Sequence, residues 1–531
     1  MITAPKVKRA LIYFAMFAYA LIVMLFCTKN SPFYAFNDWS DPNTYFTMGK
    51  GMFNGAVPYR DLFDHKGPFL FFLYGIGYLI SSANLNGVFL IQSVSLFLTM
   101  FFAYKIAKIF LEDDTRAYMT AFCLPFFIVS GTVYVGPTSH GGGSPEEFCL
   151  PLLACSVYLA LKQCKSISKE ARIPMFFQGV VTALVFMMKF NIAVFFAGTV
   201  ISFFIYRLAK KEYKLFLFEG ISLACGFIAA MLPYLVYALS TGSLRRFFSA
   251  YIKFNLAYAE GDSDRFQKLM NLTNQLVAHF KGNAFYAVLI GAGLLYILTR
   301  QSKRMAGIYK PAMFFGFLSL WLGIFYGSVF AYSTIPLTVF MIFPLCAFFD
   351  VTKKLSAFSD NVPGYVRRIT LASASVVVLL ATIGNNGLTS NPLAAIYKEK
   401  PAVCQLEIAA IINADMPENR TLLELHRLDS GLYTAANIIP KTYHFYMPLV
   451  SYEVYPYVLE NQLESVAARE NRYIVFNAGE APLKLEDVAG EDIISRLQYE
   501  TLKYYDLVGI FPGTARQAGQ FYHLYRLRDQ P

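Results

Sequence analysis

Apolar runs close to the ~20 residues that a helix needs to cross a bilayer recur along the chain, at 11–27, 86–104, 216–239 and 369–383. A chain built on several such runs folds as a polytopic α-helical membrane protein. The composition agrees. Of 531 residues, 56% are hydrophobic and 17% aromatic, and only 15% are charged, against about a quarter in a soluble domain. The net charge of +11 raises nucleic acid as a partner, but the basic residues sit between apolar runs, where the positive-inside rule accounts for them. No nucleic acid is expected. The eight Cys are scattered singly, without the spacing of a zinc site or a disulfide framework. Lys6, Lys8 and Arg9 precede the first run, and no small-residue cleavage site follows it, so the run reads as an uncleaved anchor.

Lys and Arg cluster at 6–9, 105–116, 162–172, 207–214, 300–310 and 353–368. Placing all of these in the cytoplasm satisfies the positive-inside rule, and consecutive inside clusters must then be joined by an even number of crossings. The segment 173–206 becomes a hairpin with Lys189 at its outer turn. "GPTSHGGGSPEE" (136–147) and residues 326–334 turn two further hairpins, and 240–283 forms a long outer loop. The run 68–80 is short and holds two Gly, so it reads as a re-entrant or surface-lying part of the first outer loop. The expected architecture is about eleven spans, with residues 1–390 as the membrane domain, a first outer loop at 29–85 and the N-terminus in the cytoplasm of a multi-pass cell-membrane protein. Residues 391–531 carry more acidic than basic side chains, with strand-like "RYIVF" (472–476) and "HLYRL" (523–527) and helix-like 457–470 and 490–500. They read as a small extracytoplasmic α/β domain of ~140 residues.

The unusual polar residues of the membrane part all fall on the outer side of this scheme. The first loop holds Asp38, Asp41, Arg60, Asp61, Asp64, His65 and Lys66, and the second His140, Glu146 and Glu147; Lys189 sits at the third turn. Arg245, Arg246 and Lys253 lie in the long loop, and Tyr326 and Tyr332 in the fifth. Asp41-Pro42 suits a helix start, Asp as N-cap and Pro at the first helical position. Tyr45, Met48, Met52 and Phe53 follow at spacings of three and four, so 42–55 reads as a short amphipathic helix lying on the bilayer and ended by Gly55. Simpler roles stay open for each residue: a cap for Asp41, ion pairs for Arg60–Asp61 and Asp64–Lys66, and a helix-dipole partner for one of Glu146 and Glu147. Lys189 could snorkel, Arg245 and Arg246 could meet lipid, and Tyr332 could belong to an aromatic belt.

D-P-N-T-Y at 41–45, G-x-x-P-Y-R-D at 55–61 and H-K-G-P at 65–68 resemble the first outer loop of GT-C class membrane glycosyltransferases. The branch they resemble is the bacterial one related to protein O-mannosyltransferases, lipid A aminoarabinose transferase and rhizobial galacturonosyltransferases. P-E-E at 145–147, the Lys189 turn and Y-x-x-x-P at 332–336 match later landmarks in order. The resemblance implies inverting transfer of a sugar from a polyprenyl phosphate to an acceptor hydroxyl on a glycan, lipid or protein, outside the cytoplasm. By motif, Asp41 is then the general base and Lys66 holds the donor phosphate, with Arg60, Lys189 and Tyr332 as further phosphate candidates. Asp38, Asp61, His65, Glu146 and Glu147 are supporting residues or ligands of a divalent metal ion; relatives carry acidic residues at the positions of His65 and Glu146. Thr44 stands where the aminoarabinose enzyme has Arg, which weakens any transfer of that enzyme's substrate to this chain.

The rival class is a transporter or flippase of envelope precursors, which places ionisable residues and broken helices near mid-membrane. Here the polar groups gather at outer turns. A membrane scaffold displaying the C-terminal domain leaves the clustering of carboxylates with Lys66 unexplained.

Overall fold

The computed structural model describes residues 4–129, 141–165, 172–260, 284–300, 305–325, 330–355, 364–385, 403–450, 452–488, 492–513 and 519–529, with isolated helical positions at 270, 274, 277 and 281. In chain order its main helices are α1 Ala4–Cys27, α2 Ser40–Phe53, α3 Pro68–Ile80, α4 Asn86–Leu111, α5 Asp114–Val129 and α6 Pro145–Lys165. There follow α7 Arg172–Phe186, α8 Val194–Ala209, α9 Tyr213–Ser240, α10 Ala284–Thr299, α11 Tyr309–Phe325, α12 Ile342–Leu355 and α13 Gly364–Gly384. Beyond these come α14 Cys404–Asn413, β1 Leu422–Glu424, α15 Tyr457–Ala467, β2 Tyr473–Ala478, α16 Ile493–Tyr504, β3 Tyr505–Pro512 and β4 Phe521–Leu527.

The chain forms two compact units, neither continuous in sequence: 1–28 with 89–235 and 259–397, and 29–88 with 236–258 and 398–531. The segments on either side of α1 and α4 thus fall in different units, and the 29–88 segment groups with the C-terminal sheet.

The first unit is a helix bundle. Five helices among the described residues are long and apolar enough to cross a membrane, and shorter apolar helices accompany them, so this is a polytopic membrane fold. Its helices meet through small residues, as they must where lipid offers no hydrophobic drive and backbone approach supplies the contact. A Cβ on Gly198 of α8 would fall 2.0 Å from the Phe315 carbonyl oxygen of α11, and one on Gly226 of α9 would fall 1.9 Å from that of Phe176 in α7. The outward faces are apolar: Leu217, Ile221, Ile228 and Leu232 of α9 are all exposed, as befits side chains whose solvent is hydrocarbon. α7 and α8 flank the turn that holds Lys189.

The second unit holds a four-stranded sheet in the order β1-β2-β4-β3. β1 and β2 run parallel, with Leu423 beside Ile474, and β2–β4 and β3–β4 run antiparallel. Leu459 and Val466 of α15 and Leu497 of α16 pack with Ile474, Phe476 and Tyr525 into one apolar core. α16 is capped by Asp492, whose Oδ1 accepts from the amides of Ile494 and Ser495 at 2.9 and 3.0 Å.

The environment of α2 departs from expectation. Pro42 to Gly51 are all buried, so this helix does not lie on a bilayer. α3 covers one face so closely that a Cβ on Gly49 would sit 2.5 Å from the Gly75 amide nitrogen. The opposite side meets the C-terminal segment, where Lys50 donates to the Tyr433 carbonyl at 2.6 Å and Thr47 to Asp429 at 3.3 Å. An apolar stripe requires a cover, and protein supplies it.

Candidate functional site

The site is built on the approach to α2 and on the loop that leads from it to α3. Asn37 Oδ1 accepts from the Trp39 amide at 3.1 Å, and Asn43 Nδ2 donates to the carbonyls of Asn37 and Trp39, both at 2.8 Å. These bonds begin the helix at Ser40 with Trp39 in the cap position and no side-chain capping bond. Asp41 is therefore not the N-cap, nor Pro42 the first helical residue; the Asn pair has taken over the turn. Asp41 stands in the first turn, half-buried, with its Oδ2 accepting from the Tyr45 hydroxyl at 3.1 Å.

After α2 the chain makes a tight clasp. Asp61 Oδ2 accepts from the Val57 amide at 2.7 Å, the Tyr59 amide donates to the Leu62 carbonyl at 2.8 Å, and Tyr59 takes a left-handed φ of 65°. The Tyr59 hydroxyl then donates to the Lys66 carbonyl at 2.6 Å, and Asn255 Nδ2 to that of His65, also at 2.6 Å. Asp61 thus shapes the loop. It also receives the fork of Arg60, whose Nε and Nη2 each lie 2.8 Å from its oxygens.

The clasp fixes Asp64, His65 and Lys66 in a row. Lys66 Nζ lies 2.5 Å from His65 Nε2, and His65 Nδ1 lies 3.3 Å from Asp64 Oδ1. An ammonium can only donate, so Nε2 accepts, while Nδ1 lies beside the carboxylate without hydrogen-bonding geometry. Asp64 Oδ1 also accepts from the Tyr446 hydroxyl at 2.8 Å and from the His65 amide at 2.6 Å. Its Oδ2 is buried without a hydrogen-bond partner. Burial pushes this carboxyl up to about 6, against the pull of Lys66, Tyr446 and the His65 amide, while the charge of Asp41 raises it further. Asp41, Asp64 and Lys66 therefore share one electrostatic neighbourhood. Asp64 was visible in the sequence as a neighbour of Lys66 but not as a member of the site; its partner Tyr446 lies 382 residues away, where no local pattern announces it.

Other expected residues go elsewhere. Arg60 reaches from Asp61 to the Thr241 carbonyl at 3.2 Å, and Asp38 pairs with Lys29 at 2.7 Å. In the first unit Lys189 pairs with the fully buried Glu146, whose Oε2 has no hydrogen-bond partner, and its Nζ lies 6.0 Å from the centre of the Tyr332 ring. Glu147 closes the start of α6: its Oε1 accepts from the amides of Gly143 and Ser144 at 2.8 and 2.9 Å, and its Oε2 from Gln92 at 2.8 Å. That carboxylate serves the helix terminus. Arg245 is exposed. His140 and Tyr326 lie outside the described residues.

For the expected divalent metal, no group of three or more His, Cys, Asp or Glu among the described residues is arranged to hold an ion. Asp38 and Asp61 are engaged by cations, and His65 turns its Nε2 to Lys66. The described residues do not fit a metal centre, and no step is routed through one.

Solved structures of similar fold cover nearly the whole chain. ArnT from Cupriavidus metallidurans bound to undecaprenyl phosphate superposes with a TM-score of 0.61 at 11% identity, over 97% of this chain and 98% of that one. The same protein in the apo state gives 0.58 at 11% identity, over 98% of both chains. The Archaeoglobus fulgidus oligosaccharyltransferase in complex with Zn and sulfate gives 0.47 at 13% identity over 96% of this chain and 73% of that one, a likeness too distant to carry structural detail. No curated protein matches by sequence. These neighbours are GT-C glycosyltransferases, and the resemblance carried by the first-loop motifs agrees with them. The chain has a GT-C-like membrane fold, and by the match of residues 3–372 to its model it belongs to the family described as "Putative competence-induced protein Ccs4 N-terminal domain".

Proposed function

We propose that this protein is a membrane glycosyltransferase that moves a sugar from a polyprenyl-phosphate donor to an acceptor hydroxyl, with inversion, on the outer face of the cell membrane. The observation that carries the reading is the placing of Asp41 and Lys66 near Asp64, whose carboxyl feels the charge of both, with His65 beside Lys66 and Asp64. Transfer needs a carboxylate to take the acceptor's proton and a cation to take up charge on the departing phosphate. Asp41, in the first turn of a rigid helix, is the base. The acceptor oxygen forms its bond to the anomeric carbon as the bond from that carbon to the phosphate oxygen breaks. The electron pair leaves with polyprenyl phosphate, and Lys66 neutralises it. Asp64 and His65 position the Lys66 ammonium. The GT-C fold, and the undecaprenyl phosphate bound to ArnT from Cupriavidus metallidurans, support a lipid-phosphate donor. Lys189 and Tyr332, in the other unit, remain phosphate candidates on the motif alone.

Asp41→Asn keeps the shape of the side chain and removes the base. Transfer measured with a radiolabelled polyprenyl-phosphate sugar falls by at least about a hundredfold, with donor binding and the unfolding midpoint unchanged. Full activity in this variant refutes the assignment.

A further inference from the structure

The unit that holds α2, α3 and the sheet contains a cavity of about 680 Å³ that the transfer chemistry does not use. Arg60, Arg246 and Lys253 line it together with Tyr443, His444 and Tyr457. Asp61 balances Arg60. Arg246 donates to the Arg60 carbonyl at 2.5 Å and stacks 5.9 Å from the Tyr443 ring centre, and neither it nor Lys253 has a carboxylate at ion-pair distance among the described residues. Asp61 acts on Arg246 as well as on Arg60, so three cations of the wall meet one carboxylate at ion-pair distance among the described residues.

Two further features define what complements it. Tyr457 is 62% exposed and offers an aromatic face at the cavity, a surface on which the C–H face of a pyranose can lie. His444 is buried, with Nδ1 at 3.2 Å from Asn461 Oδ1, while Nε2 has no hydrogen-bond partner. Burial draws the ring down to about 4, so near neutrality it is uncharged; with Nδ1–H given to Asn461, Nε2 is an acceptor suited to a hydroxyl. Ser249 and Lys253 reach the cavity from a π-helical segment, Phe248–Lys253, a costly geometry found most often at functional sites.

We infer that this cavity binds a carbohydrate bearing phosphate or carboxylate groups. Its identity as the acceptor rests on the transfer reading above; the binding itself does not.

The test uses the full-length protein in nanodiscs of neutral phosphatidylcholine, titrated calorimetrically with hexagalacturonate, a phosphorylated maltohexaose and neutral maltohexaose. At least one anionic probe binds about tenfold more tightly than the neutral one, and Lys253→Gln removes that preference, as loss of one charge-assisted contact should. Tyr457→Ala weakens all three probes. Both side chains are exposed, so neither change threatens folding. Equal binding of neutral and anionic probes, or a preference that survives Lys253→Gln, overturns the inference. So does a Lys253→Gln variant that loses affinity for phosphatidylglycerol vesicles while keeping glycan binding, which makes the site one for lipid headgroups. Undecaprenyl phosphate binding, measured in parallel, separates the two readings. Donor bound without anionic glycan defeats this inference alone, and glycan bound without donor defeats the transfer reading alone.

Discussion

Asp64 is a buried carboxyl with one oxygen held by Tyr446 and the His65 amide and the other without a partner. Its pKa of about 6 places its change of charge within the range where enzymes are assayed. Below that pH it is neutral and Lys66 loses a neighbouring negative charge; above it the carboxylate acts on the Lys66 ammonium. Transfer should therefore rise as pH increases through about 6. In Asp64→Asn that limb flattens while binding of neutral maltohexaose is unchanged; a wild-type limb retained in the variant removes Asp64 from the role. Stability has the opposite sign. Between 3.8 and about 6 the folded state keeps a proton that the unfolded chain gives up, so this group's contribution to stability declines as pH rises through that window. At this scale the sequence was informative where chemistry is local: Asp41, His65 and Lys66 fall within one loop. It was silent about Asp64's role, because burial by a Tyr far along the chain decides that. Glu147 shows the reverse, a conspicuous carboxylate beside Pro145 that its contacts assign to a helix terminus.

Among elements, α2 and α3 bring their backbones close at Gly49. At Gly49 an added Cβ falls 2.5 Å from the Gly75 nitrogen and 2.6 Å from the Phe71 carbonyl oxygen, atoms that cannot yield without moving a helix. At Gly51 the nearest atom is the Leu62 Cδ1, also at 2.6 Å, the tip of a side chain that can rotate. Gly49→Ala should then destabilise the protein by about 1–3 kcal/mol, the usual cost of overpacking, and Gly51→Ala by less. Unfolding midpoints of the purified protein in detergent test the difference, and equal midpoints refute it. The periodicity of α2 was legible, as were β2 and β4 from "RYIVF" and "HLYRL". β1 is only Leu422–Glu424, too short to signal itself, and β3 is a strand by virtue of pairing with β4. What covers α2 was not legible, because an apolar stripe states that something packs there and not whether it is lipid or protein; Thr47, Lys50 and Asp429 settle it through contacts more than 380 residues apart.

For the whole molecule, membership of the second unit has a topological consequence. Residues 29–88, 236–258 and 398–531 form one compact body, which charge parity expects on one side of a bilayer. On that expectation the stretches between these segments cross an even number of times. Among the described residues these stretches hold α4 to α9 and α10 to α13, and α1 precedes the first segment. The proposed topology puts all three segments outside. Single cysteines at the exposed positions Asn54, Ser249 and Lys441 should each react with a membrane-impermeant maleimide on intact cells, above the background of the native thiols, whereas one at Lys210 should react only after lysis. Labelling of Asn54→Cys without Lys441→Cys would split the second unit across the membrane and refute the topology. Labelling of all three only after lysis would keep the unit intact, reverse its orientation and place any transfer reaction on the cytoplasmic face.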